Sequence, residues 1–184
     1  MMKSFYNWLL YKHWGWKAEV TEKHPDKYII CLAPHTSNYD FLIGQLYMRA
    51  SGMKIHFLMK KEWFLWPLGS LFRSMGGIPV YRAKHTSMTD ALAETAKKEQ
   101  TFHLCITPEG TRSLNAEWKK GFYFIALKAQ IPILLYAVDY ERRLINCTKT
   151  IIPTGDVETD MRTIKSYYKG YKGKYPEKFT TGLD

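Results

Sequence analysis

Two short polar stretches of the sequence carry side chains that can do chemistry: His35 with Asp40, and TPEGTRS at residues 107–113. If His35 lies in a loop and Asp40 in the first turn of the following helix, the carboxylate can reach back to one imidazole nitrogen. The other nitrogen is then free to take a proton, as in the base-and-orienter half of a catalytic triad. No serine has the spacing of a nucleophile, so the pair predicts general-base chemistry.

Asp40 also has a purely structural interpretation. Ser37-x-x-Asp40 before an apolar run is a capping-box pattern, in which the carboxylate only starts a helix. In the second stretch, Pro108 and Gly110 predict a turn, and Arg112 offers a planar fork of donors suited to phosphate. Without further context, Arg112 is equally consistent with an ordinary surface arginine.

The segments around these stretches alternate between strands and helices. Strands are predicted at residues 27–33, 54–59, 76–82, 101–107 and 131–140, and helices at 4–12, 38–50, 86–99, 116–129 and 158–170. This alternation predicts an α/β fold, with a largely parallel central sheet flanked by helices in a single domain. Both polar stretches directly follow a predicted strand, and sites in such sheets lie beyond the carboxyl ends of the strands. We therefore expect the two stretches to meet at one edge of the sheet.

Composition divides this one domain into three parts. Residues 1–24 form an aromatic and basic helical segment, residues 25–155 the motif-bearing core, and residues 156–184 a helix and tail. The first part contains Trp8, Trp14 and Trp16 among lysines, a composition typical of membrane-interfacial segments. The apolar stretch WFLWPLGSLF, residues 63–72, predicts the wall of an apolar groove, an interfacial anchor, or an ordinary core segment.

The charge balance indicates anionic partners. Lys and Arg number 27 against 17 Asp and Glu, which gives a net charge of +10. Nucleic acid, an anionic membrane and a phosphorylated substrate all fit this charge, but no nucleic-acid-binding signature is present. No run approaches the roughly 18 apolar residues that span a bilayer, and no secretory signal pattern is found. We expect a cytoplasmic protein that binds peripherally to the inner face of the cytoplasmic membrane.

The ordered motifs resemble the glycerolipid acyltransferase family, whose best-known members acylate lysophosphatidic acid. His-x4-Asp followed by Pro-Glu-Gly-Thr-Arg, here residues 108–112, is the signature of that family. GGIPVYR, which ends in Arg82, is similar to its Gly-x-Ile-x-x-x-Arg block, and IPILLYA around Pro132 is similar to its fourth block. The resemblance covers roughly residues 25–155.

The resemblance implies transfer of a fatty acyl group from a thioester to a lysophospholipid hydroxyl, with 1-acyl-glycerol-3-phosphate as the expected acceptor. The residues to which it gives roles are His35 and Asp40 for catalysis, and Arg82, Glu109, Gly110, Thr111 and Arg112 for substrate binding. Acyl-CoA or acyl carrier protein would supply the thioester, with no metal and no other cofactor. Backbone N–H groups near His35 are the candidate oxyanion donors.

Two alternatives stay open. One is an acyltransferase of the same family with a different lyso-lipid acceptor, in which the arginines would bind a different anion. The other is a non-catalytic lipid-binding module. Binding alone requires neither His35 nor Asp40, so the presence of both residues favours an enzyme.

Overall fold

The structure is a computed structural model that describes residues 2–80 and 85–183, with the backbone alone for residues 85–87. The strands are β1 Lys17–Val20, β2 Lys27–Ala33, β3 His56–Lys60, β4 Gly77–Val80, β5 Phe102–Ile106, β6 Ile133–Asp139, β7 Leu144–Cys147 and β8 Thr150–Ile151. The helices are α1 Met2–Asn7, α2 Asn38–Ser51, α3 Leu68–Ser74, α4 His85–Lys98, α5 Gly121–Ala129 and α6 Val157–Tyr167. Shorter elements are a π-helix at Trp8–His13 and 3₁₀ turns at Lys61–Phe64 and Pro176–Lys178.

The strands form one sheet in the order β1-β7-β6-β2-β5-β3-β4. The short strand β8 pairs with the first residues of β6, and β7 pairs with the last residues of β6. The run β6-β2-β5-β3-β4 is parallel, whereas β7 and β8 are antiparallel to β6. The register places Ala33, at the end of β2, beside Ala137 of β6. The carboxyl ends of the parallel strands therefore share one edge of the sheet, and the expected single-domain α/β fold is confirmed.

Helices cover both faces of the sheet, and β2 shows how the sequence produces this. Successive side chains of a strand point to opposite faces. Ile29 and Cys31 pack in one apolar cluster with α4, α5 and α6, whereas Tyr28 and Ile30 pack in a second cluster with α2 and the N-terminal helices. Because β2 is buried on both sides, its sequence is apolar from Tyr28 to Ala33, as is typical of central parallel strands.

Every predicted strand and helix has a counterpart, but several bounds differ. Helix α5 begins at Gly121 rather than at 116, because the chain before it is irregular and Lys119 N donates to Pro108 O at 2.7 Å instead of to a helical partner. The third predicted strand is present as Gly77–Val80, and its last two residues lie outside the described part of the chain. The short strands β1, β7 and β8 and the helix α3 were not predicted.

Across residues 2–80 and 85–183, no helix combines the length and the apolar character that crossing a membrane requires.

Candidate active site

The connection between β2 and α2 brings His35 and Asp40 together. Ser37 is the N-cap of α2, and its side chain accepts a hydrogen bond from Tyr39 N at 3.2 Å. Asp40 lies in the first turn of α2, and its Oδ2 accepts a hydrogen bond from Ser37 N at 2.9 Å. The capping box read from the sequence is therefore present, with His35 in the loop before it.

The same carboxylate also faces the imidazole, so the capping and orienting interpretations of Asp40 hold together. Its Oδ2 lies 3.2 Å from His35 Nδ1, within ion-pair distance though without the alignment of a full hydrogen bond. Asp40 is 1% exposed, and its Oδ2 also accepts from Thr36 N at 2.8 Å. The His35 side chain is 18% exposed and its Nδ1 is buried, so the remainder of the ring is the part open to solvent.

Glu109 lies on the other side of His35, in the loop after β5. Its Oε1 accepts a hydrogen bond from His35 N at 2.8 Å, while its Oε2 is buried and has no hydrogen-bond partner in the described part of the chain. The side chain is 3% exposed, and this burial raises the pKa of the Glu109 carboxyl to about 7 from an ordinary value of 4.5. Although sequence analysis predicted a substrate-binding residue, the carboxyl of Glu109 contacts the backbone of the His35 loop.

The rest of that loop carries Arg112 to the start of α2. The Arg112 Nη1 donates to Asn38 Oδ1, and Asn38 is the first residue of α2. Gly110 takes a positive φ of 65° in the turn that reverses the chain, and its N–H donates to Thr107 O at 3.2 Å. Thr111 is exposed, and its hydroxyl accepts from the backbone N–H two residues later. The two polar stretches thus meet at one edge of the sheet, as expected.

Two predictions from the sequence find no support in this geometry. Arg82, the second predicted phosphate ligand, lies outside the described residues. The N–H groups near His35 were the candidate oxyanion donors, but those of His35, Thr36 and Ser37 already donate to buried carboxylates. Those three N–H groups are therefore not free to receive an oxyanion.

Sequence analysis missed Tyr140, which directly follows β6 and whose hydroxyl donates to Asp40 Oδ1 at 2.8 Å. Strand β6 is the parallel neighbour of β2, so the edge rule that paired the two motifs also places Tyr140 beside the loop of His35.

An apolar cavity of about 80 Å³ lies between α2 and the sheet, next to Asp40. Asp40, Phe41, Gly44, Met48 and Phe57 are among the residues that line it. No residue of the stretch 63–72 does so.

Instead, the stretch 63–72 exposes its large side chains, so the core interpretation of this stretch is wrong for most of it. Trp66 is 94% exposed and Leu65 is 70% exposed. Trp63, Leu68 and Leu71 are also exposed. In the N-terminal part of the chain, Trp8 is exposed but Trp16 is buried, and therefore Trp16 is a core residue.

No three His, Cys, Asp or Glu side chains within the described ranges are arranged to hold a metal ion.

The profile of the Acyltransferase family matches residues 17–138, more than half of the chain. The protein therefore belongs to the Acyltransferase family. Its fold is similar to that of a crystal structure of the 1-acyl-sn-glycerophosphate (LPA) acyltransferase, PlsC, from Thermotoga maritima, with a TM-score of 0.57. The two sequences are 18% identical, over 94% of this chain and 80% of the other, a level at which the likeness concerns the fold. No curated protein matches the chain significantly.

Proposed function

We propose that this acyltransferase moves a fatty acyl group from acyl-CoA or acyl carrier protein to the free hydroxyl of 1-acyl-glycerol-3-phosphate, which gives phosphatidic acid. The observation that carries the proposal is the buried Asp40 carboxylate held 3.2 Å from His35 Nδ1, at the helix start that Arg112 also contacts. A base and an anion-binding side chain at one helix start suit a phosphorylated alcohol.

In this reaction His35 acts as the general base. Its Nε2 takes the proton of the acceptor hydroxyl as the oxygen attacks the thioester carbon, and the tetrahedral intermediate collapses with loss of the thiolate. The imidazolium then returns the proton to the thiolate, so no covalent enzyme intermediate is needed. Asp40 stabilises the imidazolium and keeps the proton of the neutral ring on Nδ1. General-base catalysis of this kind contributes roughly 10²–10⁴ in rate.

Arg112 binds the acceptor phosphate in this proposal, with Arg82 as a second ligand. A guanidinium offers two parallel donors to a phosphate, so it fixes the orientation of the acceptor as well as its charge. Thr111 is exposed beside it and can donate its hydroxyl to the same phosphate. The cavity next to Asp40 offers the acyl chain a largely apolar surface.

The proposal includes peripheral contact with an anionic membrane, where the acceptor and the product reside. The exposed side chains of Leu65 and Trp66 support this contact, as does the net charge of +10. Both residues follow β3, a parallel strand whose carboxyl end lies at the sheet edge that carries His35. A bilayer against this edge would present the acceptor to the base.

The test is thiol release from an acyl-CoA with lysophosphatidic acid as acceptor, for the wild type and for His35→Ala. His103→Ala is the matched control, because His103 lies at the opposite end of the parallel strands and its ring contacts Lys54 O. We expect the reaction in the wild type and in the control, and its loss in His35→Ala.

Three other results would change the proposal. Equal release by the wild type and His35→Ala would overturn the role of the base. No release by any of the three proteins, followed by release with another lyso-lipid in a panel, would replace the acceptor and keep the reaction. Lipid binding without release for any acceptor would identify a binding module.

A further inference from the structure

Tyr140 lies two residues beyond the part of the chain that matches the family, yet it contacts the catalytic pair. Its hydroxyl donates to Asp40 Oδ1 at 2.8 Å, whereas the contacts with His35, Thr36 and Ser37 are all made by Oδ2. Within the part of the chain that the structure describes, this hydroxyl is the hydrogen-bond donor to Oδ1. Each oxygen of a buried carboxylate thus has its own partners.

Tyr140 is held in place by one backbone contact and one ring contact. Its backbone N–H donates to Lys172 O at 2.9 Å, and its ring packs edge-on against Trp16 with centroids 5.2 Å apart. Burial, and then the nearby charge of Asp40, raise the pKa of the Tyr140 hydroxyl above its ordinary value of 10.0. The hydroxyl therefore keeps its proton at neutral pH and stays a donor.

The chain that follows Lys172 supports the loop of His35 from the outside. A Cβ at Gly173 would lie 2.6 Å from Thr36 Oγ1 and 3.1 Å from Pro34 Cβ, so only glycine allows this approach. Tyr175 N donates to Thr36 Oγ1 at 3.2 Å. Tyr140 and residues 172–175 thus hold the loop together, although all of them lie outside the family match.

We propose that Tyr140 is a positioning residue of the acyl-transfer site, whose hydroxyl holds the Asp40 carboxylate so that Oδ2 faces His35 Nδ1. The terminal torsion of an aspartate is soft, with a broad distribution, so hydrogen bonds decide how the carboxylate lies. Fixed in this orientation, Asp40 selects the tautomer with the proton on Nδ1 and leaves Nε2 free to act as the base. The effect on rate rests on the proposed function, but the effect on the tautomer does not.

The first test needs no substrate. The ring nitrogens of His35 are observed by ¹⁵N NMR, at a pH where the ring is neutral, in the wild type, Tyr140→Phe and Tyr123→Phe. Tyr123 is a matched control, because its hydroxyl donates to the buried Asp160 Oδ2 at 2.7 Å in a different part of the fold. We expect one protonated and one unprotonated nitrogen in the wild type and the control, and averaged signals in Tyr140→Phe. An unchanged spectrum in Tyr140→Phe would overturn the proposal.

The second test separates positioning from general stability. We expect Tyr140→Phe to lower kcat on the order of tenfold, with the KM values unchanged, because a small displacement of catalytic groups costs rate rather than binding. In an Asp40→Asn background, the same substitution should cause no further loss of kcat. A full additional loss in that background, or an equal loss in Tyr123→Phe, would contradict the proposal. So would failure of Tyr140→Phe to fold when Tyr123→Phe folds, since the hydroxyl would then serve stability alone.

If the wild type released no thiol with any acceptor, the proposed function would fail while the NMR comparison still decided the role of Tyr140.

Discussion

Two connections leave the same edge of the sheet and are built in opposite ways. After β2, the chain reaches α2 through a loop in which Thr36 and Ser37 are buried and a side chain caps the helix. After β3, it reaches α3 through a 3₁₀ turn, no side chain caps the helix, and Trp66 is almost fully exposed. The first connection holds the side chains of His35 and Asp40 in fixed positions, which base catalysis requires. The second exposes an apolar surface, which suits a lipid interface.

The two connections are in contact through aromatic rings. Phe41, next to Asp40 on α2, packs edge-on against Phe57 of β3, with centroids 5.1 Å apart, and against Phe72 of α3 at 6.4 Å. Phe72 in turn contacts the ring of Trp63 at 6.1 Å. The second connection thus packs, through Phe72, against the helix that carries Asp40. Substitutions can separate the contributions of the two connections.

The largest effect is expected when the negative charge of Asp40 is removed from the first connection while the helix cap is largely kept. We expect Asp40→Asn to lower kcat by roughly 10²–10⁴, because the amide does not stabilise the imidazolium. The matched control is Ser37→Ala, which removes the cap acceptor and keeps the carboxylate. It should cost about 1 kcal/mol in the free energy of unfolding, with most of kcat retained. Equal losses of kcat in both variants would assign Asp40 to capping alone.

The next prediction concerns the pH dependence of stability in the first connection. Burial raises the pKa of Glu109 to about 7 from 4.5, so the folded state binds a proton that the unfolded state has released. Stability from this group is therefore present below pH 4.5 and is lost as the pH rises through 7, by roughly 3 kcal/mol.

Glu109→Gln removes this titration and keeps an acceptor for His35 N. Unfolding free energies measured between pH 5 and pH 7.5 should therefore fall more steeply for the wild type than for Glu109→Gln. The two curves would be parallel if the carboxyl titrated as it does in the unfolded chain.

A smaller effect is expected at Arg112, which joins the two polar stretches. Arg112→Lys keeps the charge but loses the planar fork, so the KM for the acceptor should rise by roughly tenfold while the KM for the thioester stays unchanged. Arg49→Lys is the control, because Arg49 is exposed at the far end of α2 and bonds to Tyr6. Steady-state kinetics with each substrate varied in turn would show the difference, and a change in both KM values would argue against phosphate binding.

The last prediction concerns the second connection and leaves the rate of acyl transfer itself unchanged. Replacing Leu65 and Trp66 together by serine should weaken binding to anionic vesicles by about tenfold, since two exposed apolar side chains no longer enter the interface. Thiol release with a detergent-dispersed acceptor should be unchanged. Trp8→Ser tests the N-terminal aromatic stretch in the same sedimentation assay. A larger loss in Trp8→Ser would move the membrane contact there, and a changed oligomeric state of the Leu65 and Trp66 variant would indicate a protein interface.

The comparison also shows what the sequence can predict. The bounds of β2 were predicted as residues 27–33, because this centrally buried parallel strand is a continuous apolar run after Lys27. The capping box at Ser37 and Asp40 was predicted because its signals lie within four residues. By contrast, β1 (KAEV) is exposed, polar and four residues long, and it is a strand because it pairs with β7.

The site divides in the same way. Local motifs identified His35, Asp40 and Arg112, but the burial of Glu109 depends on a bond to a residue 74 positions earlier. Tyr140 is 100 positions from Asp40, and no local signal marks it. Contacts of this kind are set by the order of strands in the sheet, which periodicity does not determine.

The contact between Thr36 and the chain at Gly173 and Tyr175 bears on how the protein is made. Thr36 and Tyr175 are 139 positions apart, so the ribosome releases the loop of His35 long before the residues that support it. A nascent chain therefore carries His35 without the neighbours that hold its loop. The geometry that surrounds His35 in the structure therefore forms only after Tyr175 has been synthesised.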